Sequence, residues 1–128
     1  RVLVDAPCSG LGTLRRNPDL KWRQTPESVA ELSVKQAAIL DAASALVKQG
    51  GRLVYATCSL LDAENESVVS AFLATHPEFV SLSATEVLLK QGIEMAGDAG
   101  DGEAGERLRL LPHRQGTDGF FAAVMERR

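Results

Sequence analysis

Apolar positions along the chain follow two rhythms. Residues 1–6 carry the short run Val2-Leu3-Val4, closed by Pro7 and a Ser-Gly turn, which predicts a buried strand. Residues 8–25, with Gly10, Gly12, Pro18 and mixed charges, predict irregular chain. A helical period follows, with Val29, Leu32, Gln36, Ile39, Ala43 and Leu46 on one stripe, widened by Leu40 and Val47. Thr25 supplies its N-cap, Pro26 its first position and Glu27 a favourable charge at its start, and Gly50-Gly51 stops it. Residues 52–57, with Leu53-Val54-Tyr55-Ala56, read as a second strand. Asp62 then reads as the cap of a second helix with Val68, Val69, Phe72 and Leu73 as its stripe and Pro77 beyond its end. Phe79-Val80-Ser81-Leu82 predicts a third strand, and Phe120 to Met125, entered through Gly119, a last one. The glycine-rich acidic residues 97–106 read as a surface loop. This alternation predicts an α/β fold: a mostly parallel sheet with right-handed crossovers and an antiparallel last strand. The first two strands look apolar throughout, as strands covered on both faces do.

Length and composition narrow the picture. A chain of 128 residues, 45% hydrophobic, fits one domain with an ordinary core. No apolar run approaches the roughly 20 residues needed to cross a membrane, and no secretory leader is evident. The opening on Arg1, directly into an apolar run, reads as a cut inside a longer polypeptide. Cys8 and Cys58 lack the close Cys/His pairing of a zinc site, and two free thiols fit a cytoplasmic protein. The net charge of −3 hides a basic arm, in which Arg15, Arg16, Lys21 and Arg23 outnumber Asp19. Such an arm is either a solvated surface or, with Trp22 in it, a contact for phosphates and stacked bases. Trp22 is equally read as a core anchor. His76 and His113 have no partner spacing and read as surface or turn residues.

The informative feature is positional. Cys8 follows the first strand and Cys58 the second, each succeeded by a serine. If the strands are parallel neighbours, both thiols and Asp5 lie at one carboxyl edge, where open α/β sheets bind ligands. A cysteine at a strand end is also commonly a small buried hydrophobe, and aspartate before Pro-x-Ser-Gly commonly caps a turn. Residue positions alone leave both readings open.

Asp5-Ala6-Pro7-Cys8-Ser9-Gly10 and Ala56-Thr57-Cys58-Ser59 resemble the two cysteine motifs of RNA 5-methylcytosine methyltransferases. Arg15-Arg16-Asn17-Pro18-Asp19-Leu20-Lys21-Trp22 and the closing run from Leu111 to Ala122 are similar to the Sun/Fmu branch, which methylates 16S ribosomal RNA. The likeness covers nearly all of the chain except residues 83–107. It implies the C-terminal half of a Rossmann-like, S-adenosylmethionine-dependent catalytic domain, so that residues 1–128 are a partial domain. It further implies Cys58 as the nucleophile that adds to carbon 6 of cytosine and activates carbon 5, and Cys8 as the thiol that helps release the product. Asp5 would sit near cofactor and target base, with Pro7 beside it at the cofactor. Arg15, Arg16, Lys21, Trp22 and Arg23 would meet ribosomal RNA. No metal is implied. Cys58 should find helix amides or cations that favour its thiolate, with amides from the helix near Asp62. Asp62, Glu64 and Glu66 are expected to face solvent. The glycine-rich turn that cradles such a cofactor is not found, since Gly10-Leu11-Gly12 is too short and follows the wrong strand. An RNA-binding or scaffold module without catalysis remains the alternative. A thiol redox protein is disfavoured by the lack of a Cys-x-x-Cys pair, and an amino-group methyltransferase by Cys8 and Ser9 where a proline and an aromatic would stand.

Overall fold

The structure, a computed structural model, describes residues 1–95, 100–101 and 106–128. Its strands are β1 (Val2–Asp5), β2 (Arg52–Thr57), β3 (Phe79–Leu82), β4 (Gly100–Asp101), β5 (Arg107–Leu110) and β6 (Phe120–Arg127). The helices are α1 (Leu20–Arg23), α2 (Pro26–Ser44), α3 (Glu66–Thr75), α4 (Ala84–Leu89) and α5 (Pro112–Gln115). The sheet runs β1-β2-β6-β5-β4, and β3 also pairs with β6. β1 and β2 are parallel, with Asp5 opposite Ala56. β6 is antiparallel to β2, β3 and β5, so those three strands and β1 all point one way around a reversed β6. Four strands thus point one way, with the last strand reversed as the sequence predicts and the short β4 reversed as well.

Residues of one strand face alternate sides, and Val4, Leu53, Tyr55, Phe121, Ala123 and Met125 pack beneath α2 and α3. Those helices contribute Leu40 and Ala43, and Val68, Val69 and Phe72, to the same cluster. Thr25 caps α2, its side chain accepting from the Ser28 N–H while Ser28 Oγ accepts from the Thr25 N–H, and Pro26 takes the first turn. The helix ends at Ser44, six residues before Gly50, which adopts a left-handed φ of 72° in a following turn. Leu46, expected on the apolar stripe, therefore leaves the helix and is 74% exposed, whereas Val47 still reaches the core.

Three further expectations are corrected. β1 is covered on one face only, since Leu3 is 68% exposed; among the described strands it pairs with β2 alone, which leaves the open edge that a first strand of a partial sheet is expected to have. Asp62 does not cap a helix. It opens a 3₁₀ turn, Asp62–Glu64, and α3 starts after Asn65. Of residues 97–106, read as a loop, most lie outside the described residues, but Gly100–Asp101 pairs with β5. β5 itself escaped the sequence reading because Arg107 and Arg109 interrupt its apolar run. Arg107 is buried, its guanidinium held by Glu66 at 2.9 Å and by Ser81 at 2.6 Å.

Candidate active site

The parallel register brings the ends of β1 and β2 level, and the Ala6 N–H continues the ladder to the Ala56 carbonyl at 2.9 Å. Two residues beyond, the Cys8 and Cys58 sulfurs lie 3.4 Å apart and share a thiol hydrogen bond. Both cysteines are free and partly buried. The chain after each thiol is sewn to the other. Gly12 N–H donates to the Cys58 carbonyl at 2.8 Å, and Gly119 N–H donates to the Gly12 carbonyl at 2.7 Å. A β-carbon at Gly12 would lie 2.3 Å from the Gly119 carbonyl oxygen and 2.6 Å from that of Cys58, so this crossing requires glycine.

Burial pushes the Cys8 thiol from its ordinary 9.0 up to about 12, with the Cys58 contact adding to the rise and the Gly10 and Cys58 backbone amides opposing it. Cys8 therefore stays protonated at neutral pH, and either sulfur can donate in the bond they share. The expected helix amides at Cys58 are not there: among the described residues its sulfur has Cys8 as its hydrogen-bond partner. The reason is the 3₁₀ turn, which moves the cap of α3 from Asp62 to Asn65, three residues later than expected. A cation is nearby, however. Arg16 is held in its charged form mainly by Asp118, with a smaller attraction from Cys58.

Glu64 was expected in solvent and is fully buried instead. It accepts from the Ser9 N–H at 2.8 Å, from Ser9 Oγ at 2.6 Å, from Gln36 Nε2 at 3.2 Å and from Ser59 Oγ in a very short bond. Hydrophobic periodicity gives no sign of this, because an acid in a polar run between Leu61 and Val68 looks like surface. The available clue was the serine following each cysteine: two hydroxyls carried inward with their thiols need a shared acceptor. Asp62 and Glu66 stay at the surface, paired with Arg109 at 3.3 Å and Arg107 at 2.9 Å.

Asp5 stands exposed at the rim with no side-chain partner among the described residues, and Pro7 is exposed beside the thiol loop. An unpartnered carboxylate there suits a ligand donor group such as an amine or hydroxyl. The Gly10–Gly12 loop offers no open cradle, its Gly12 position being filled by backbone. An exposed carboxylate and proline at this rim fit one open wall of a ligand site.

The basic arm surrounds the same edge. Arg15 and Arg16 both grip Asp118, at 2.9 and 2.6 Å, and Arg15 also donates to the Gly116 carbonyl at 2.8 Å. Gln24, just after α1, donates to the Ser9 carbonyl at 3.0 Å and ties the arm to the Cys8 loop. Lys21 lies 5.0 Å over the Trp22 ring, and Arg23 pairs with Asp19. Trp22 is 80% exposed, which removes the core-anchor reading. Of the histidines, His76 stacks on Phe72 at 4.1 Å and meets Asp41 at 3.1 Å, away from the thiols. Among the described residues no cluster of three or more His, Cys, Asp or Glu could hold a metal, and no helix is long and apolar enough to cross a membrane.

Comparison with known proteins places this geometry. The family model described as 16S rRNA methyltransferase RsmB/F matches residues 1–126. A Synechocystis sp. protein named "Probable ribosomal RNA small subunit methyltransferase B" is 46% identical over 127 residues, covering 99% of this chain and 27% of that protein. The Sodalis glossinidius "Ribosomal RNA small subunit methyltransferase B" is 42% identical, covering 98% of this chain and 25% of its own length. Among solved structures, PH0851 superposes with a TM-score of 0.83 at 40% identity, over 98% of this chain and 26% of that one. NSun6 from Pyrococcus horikoshii, solved with SFG, gives a TM-score of 0.73 at 29% identity, over 98% and 29%. The chain thus spans about a quarter of the length of these relatives, and it belongs to the RsmB/F family of 16S rRNA methyltransferases.

Proposed function

We propose that this chain is the thiol-bearing part of an S-adenosylmethionine-dependent RNA (cytosine-5-)-methyltransferase acting on a cytosine of 16S ribosomal RNA. The observation that carries the reading is the pair of sulfurs 3.4 Å apart at the carboxyl edge of parallel strands, one of them held protonated. Family membership and a structural neighbour solved with SFG, an S-adenosylmethionine analogue, support the choice of cofactor.

Carbon 5 of cytosine is a poor nucleophile. Cys58 Sγ, as thiolate, forms a bond to carbon 6, and the electrons of the C5–C6 double bond shift to carbon 5. S-adenosylmethionine, when bound, supplies an electrophilic methyl group, and Asp5 with Pro7 would line its side of the cleft. After methylation carbon 5 gives up its proton to a base, the double bond re-forms, and the C6–S bond breaks with Cys58 leaving as thiolate. The Cys8 S–H faces that sulfur and stabilises the departing charge by donating to it. Arg15, Arg16, Lys21 and Arg23 would hold RNA phosphates, and Trp22 an unstacked base.

We further infer that residues 1–128 are a partial catalytic domain, whose remaining cofactor-binding strands belong to chain outside this sequence. The unpaired β1 edge, the exposed Leu3 and the quarter-length coverage of relatives support this. The isolated chain is accordingly expected to bind S-adenosylmethionine no better than millimolar, and micromolar binding by calorimetry would contradict it. The test of function is methyl transfer by the full polypeptide to small-subunit ribosomal RNA, read by mapping 5-methylcytosine. One modified cytosine supports the reading, whereas methylation at an amino group, or at no site, refutes it.

A further inference from the structure

We propose that Glu64 is a positioning residue whose carboxylate fixes the two thiols against each other by clamping Ser9 and Ser59, the residues that follow Cys8 and Cys58. The proposal deepens the two-thiol reading above and names the part that sets its geometry.

Four donors converge on the Glu64 carboxylate, the full capacity of its two oxygens. Oε1 takes the Ser9 N–H and Gln36 Nε2, while Oε2 takes both serine hydroxyls, whose oxygens lie 3.3 Å apart. One carboxylate therefore joins two loops 50 residues apart in sequence, each at the position next to its sulfur. The clamp is anchored from behind. Tyr55 Oη, rising from the middle of β2, donates to the Glu64 carbonyl at 2.6 Å. Asn65 Nδ2 donates to the Ser59 carbonyl at 2.9 Å and its Oδ1 accepts from Thr57 Oγ1 at 2.5 Å. Gln36 Nε2 also reaches the Pro7 carbonyl at 2.9 Å, so α2 grips the residue before Cys8 as well.

Stability alone gives weak reason for an acid here. A buried carboxylate is costly to desolvate, and well-packed apolar side chains commonly replace buried ionic groups without loss. Such a replacement could fill the volume but not hold two hydroxyls at once. The thiol contact tolerates little slack, since a displacement of about 1 Å in a reacting group lowers a rate by up to about 100-fold.

The experiment uses the full polypeptide that carries this chain. Dibromobimane, which bridges two nearby thiols by forming two S–C bonds with loss of two bromides, reads the Cys8–Cys58 geometry without RNA or cofactor. Glu64→Gln keeps the shape but exchanges charge-assisted bonds for neutral ones of about half the strength. In a variant that still melts cooperatively, the bridging rate falls about tenfold. Single alkylation by a monofunctional bromobimane does not fall, and kcat drops with the RNA KM unchanged. If Glu64→Gln fails to fold, Ser9→Ala and Ser59→Ala each remove one arm of the clamp, and each lowers the bridging rate. Bridging at the wild-type rate in folded Glu64→Gln, or in both serine variants, overturns the proposal. Because bridging needs no methyl transfer, its loss is distinguishable from failure of the catalytic reading, which the 5-methylcytosine map decides.

Discussion

The thiol edge and the basic arm lie side by side and are held in opposite ways. Cys8 and Cys58 sit on loops locked by buried bonds through Ser9, Ser59, Glu64 and a glycine crossing that admits no side chain. Arg15, Arg16, Lys21, Trp22 and Arg23 are largely exposed, held by ion pairs with Asp118 and Asp19 and by a cation over a ring. Exposed ion pairs contribute little and exchange partners readily, so phosphates can replace Asp118 without disturbing the fold. A covalent step needs fixed atoms, whereas a surface that captures a flexible polymer needs charges free to follow it. Under the proposed function those demands fall on adjacent segments, joined by Gln24 reaching back to the Ser9 carbonyl.

The largest effects are expected at the thiols. Cys58→Ser removes the nucleophile and lowers methyl transfer by at least about 10³-fold, measured with radiolabelled methyl donor. Cys8→Ser leaves attack in place but weakens release, so turnover falls by about 10²-fold and a protein–RNA adduct accumulates, visible on a denaturing gel. In the arm the effects are smaller and act on binding. Trp22→Ala weakens RNA binding by about 1–3 kcal/mol in a filter assay and leaves the melting temperature unchanged, the ring being exposed. Arg15→Ala with Arg16→Ala lowers the slope of log affinity against log salt by about 0.7 for each lost phosphate contact.

The last effect, absent at neutral pH, is an alkaline pH dependence of stability. Burial holds the folded Cys8 thiol near about 12 against an ordinary 9.0, so the unfolded chain releases this proton first as pH rises. Stability from this group is intact below pH 9 and is lost between there and about 12. The Tyr55 hydroxyl, also raised by burial, adds a loss of the same sign above its ordinary 10.0. Denaturant titrations of Cys8→Ser should show a shallower alkaline decline than the parent protein.

The frame of the site was legible in the sequence, and its interior was not. Apolar runs ending in Pro7-Cys8 and Thr57-Cys58 mark two strands, and the observed parallel register turns the conditional meeting of both thiols at one rim into a contact. Thr25-Pro26 marked the start of α2 for local reasons that its structure retains. Long-range polar pairing stayed hidden, because nothing local ties Arg107 to Glu66, Arg15 to Asp118 or Glu64 to Ser9. In sequence Gly50 reads as the stop of α2, which puts the helix end too late, because that glycine forms a separate turn. Glu64 was misread for the general reason that hydrophobic patterning finds apolar interiors and passes over buried charge.

In the proposed mechanism Cys58 attacks the base while Cys8 stands beside it as a proton-bearing partner. Peptide mapping of the covalent complex between the full polypeptide and RNA containing 5-fluorocytosine, whose fluorine blocks the final elimination, tests it most directly. The cytosine is predicted on Cys58, absent in Cys58→Ser and retained in Cys8→Ser. A linkage to Cys8, or an adduct that survives Cys58→Ser, would contradict the account.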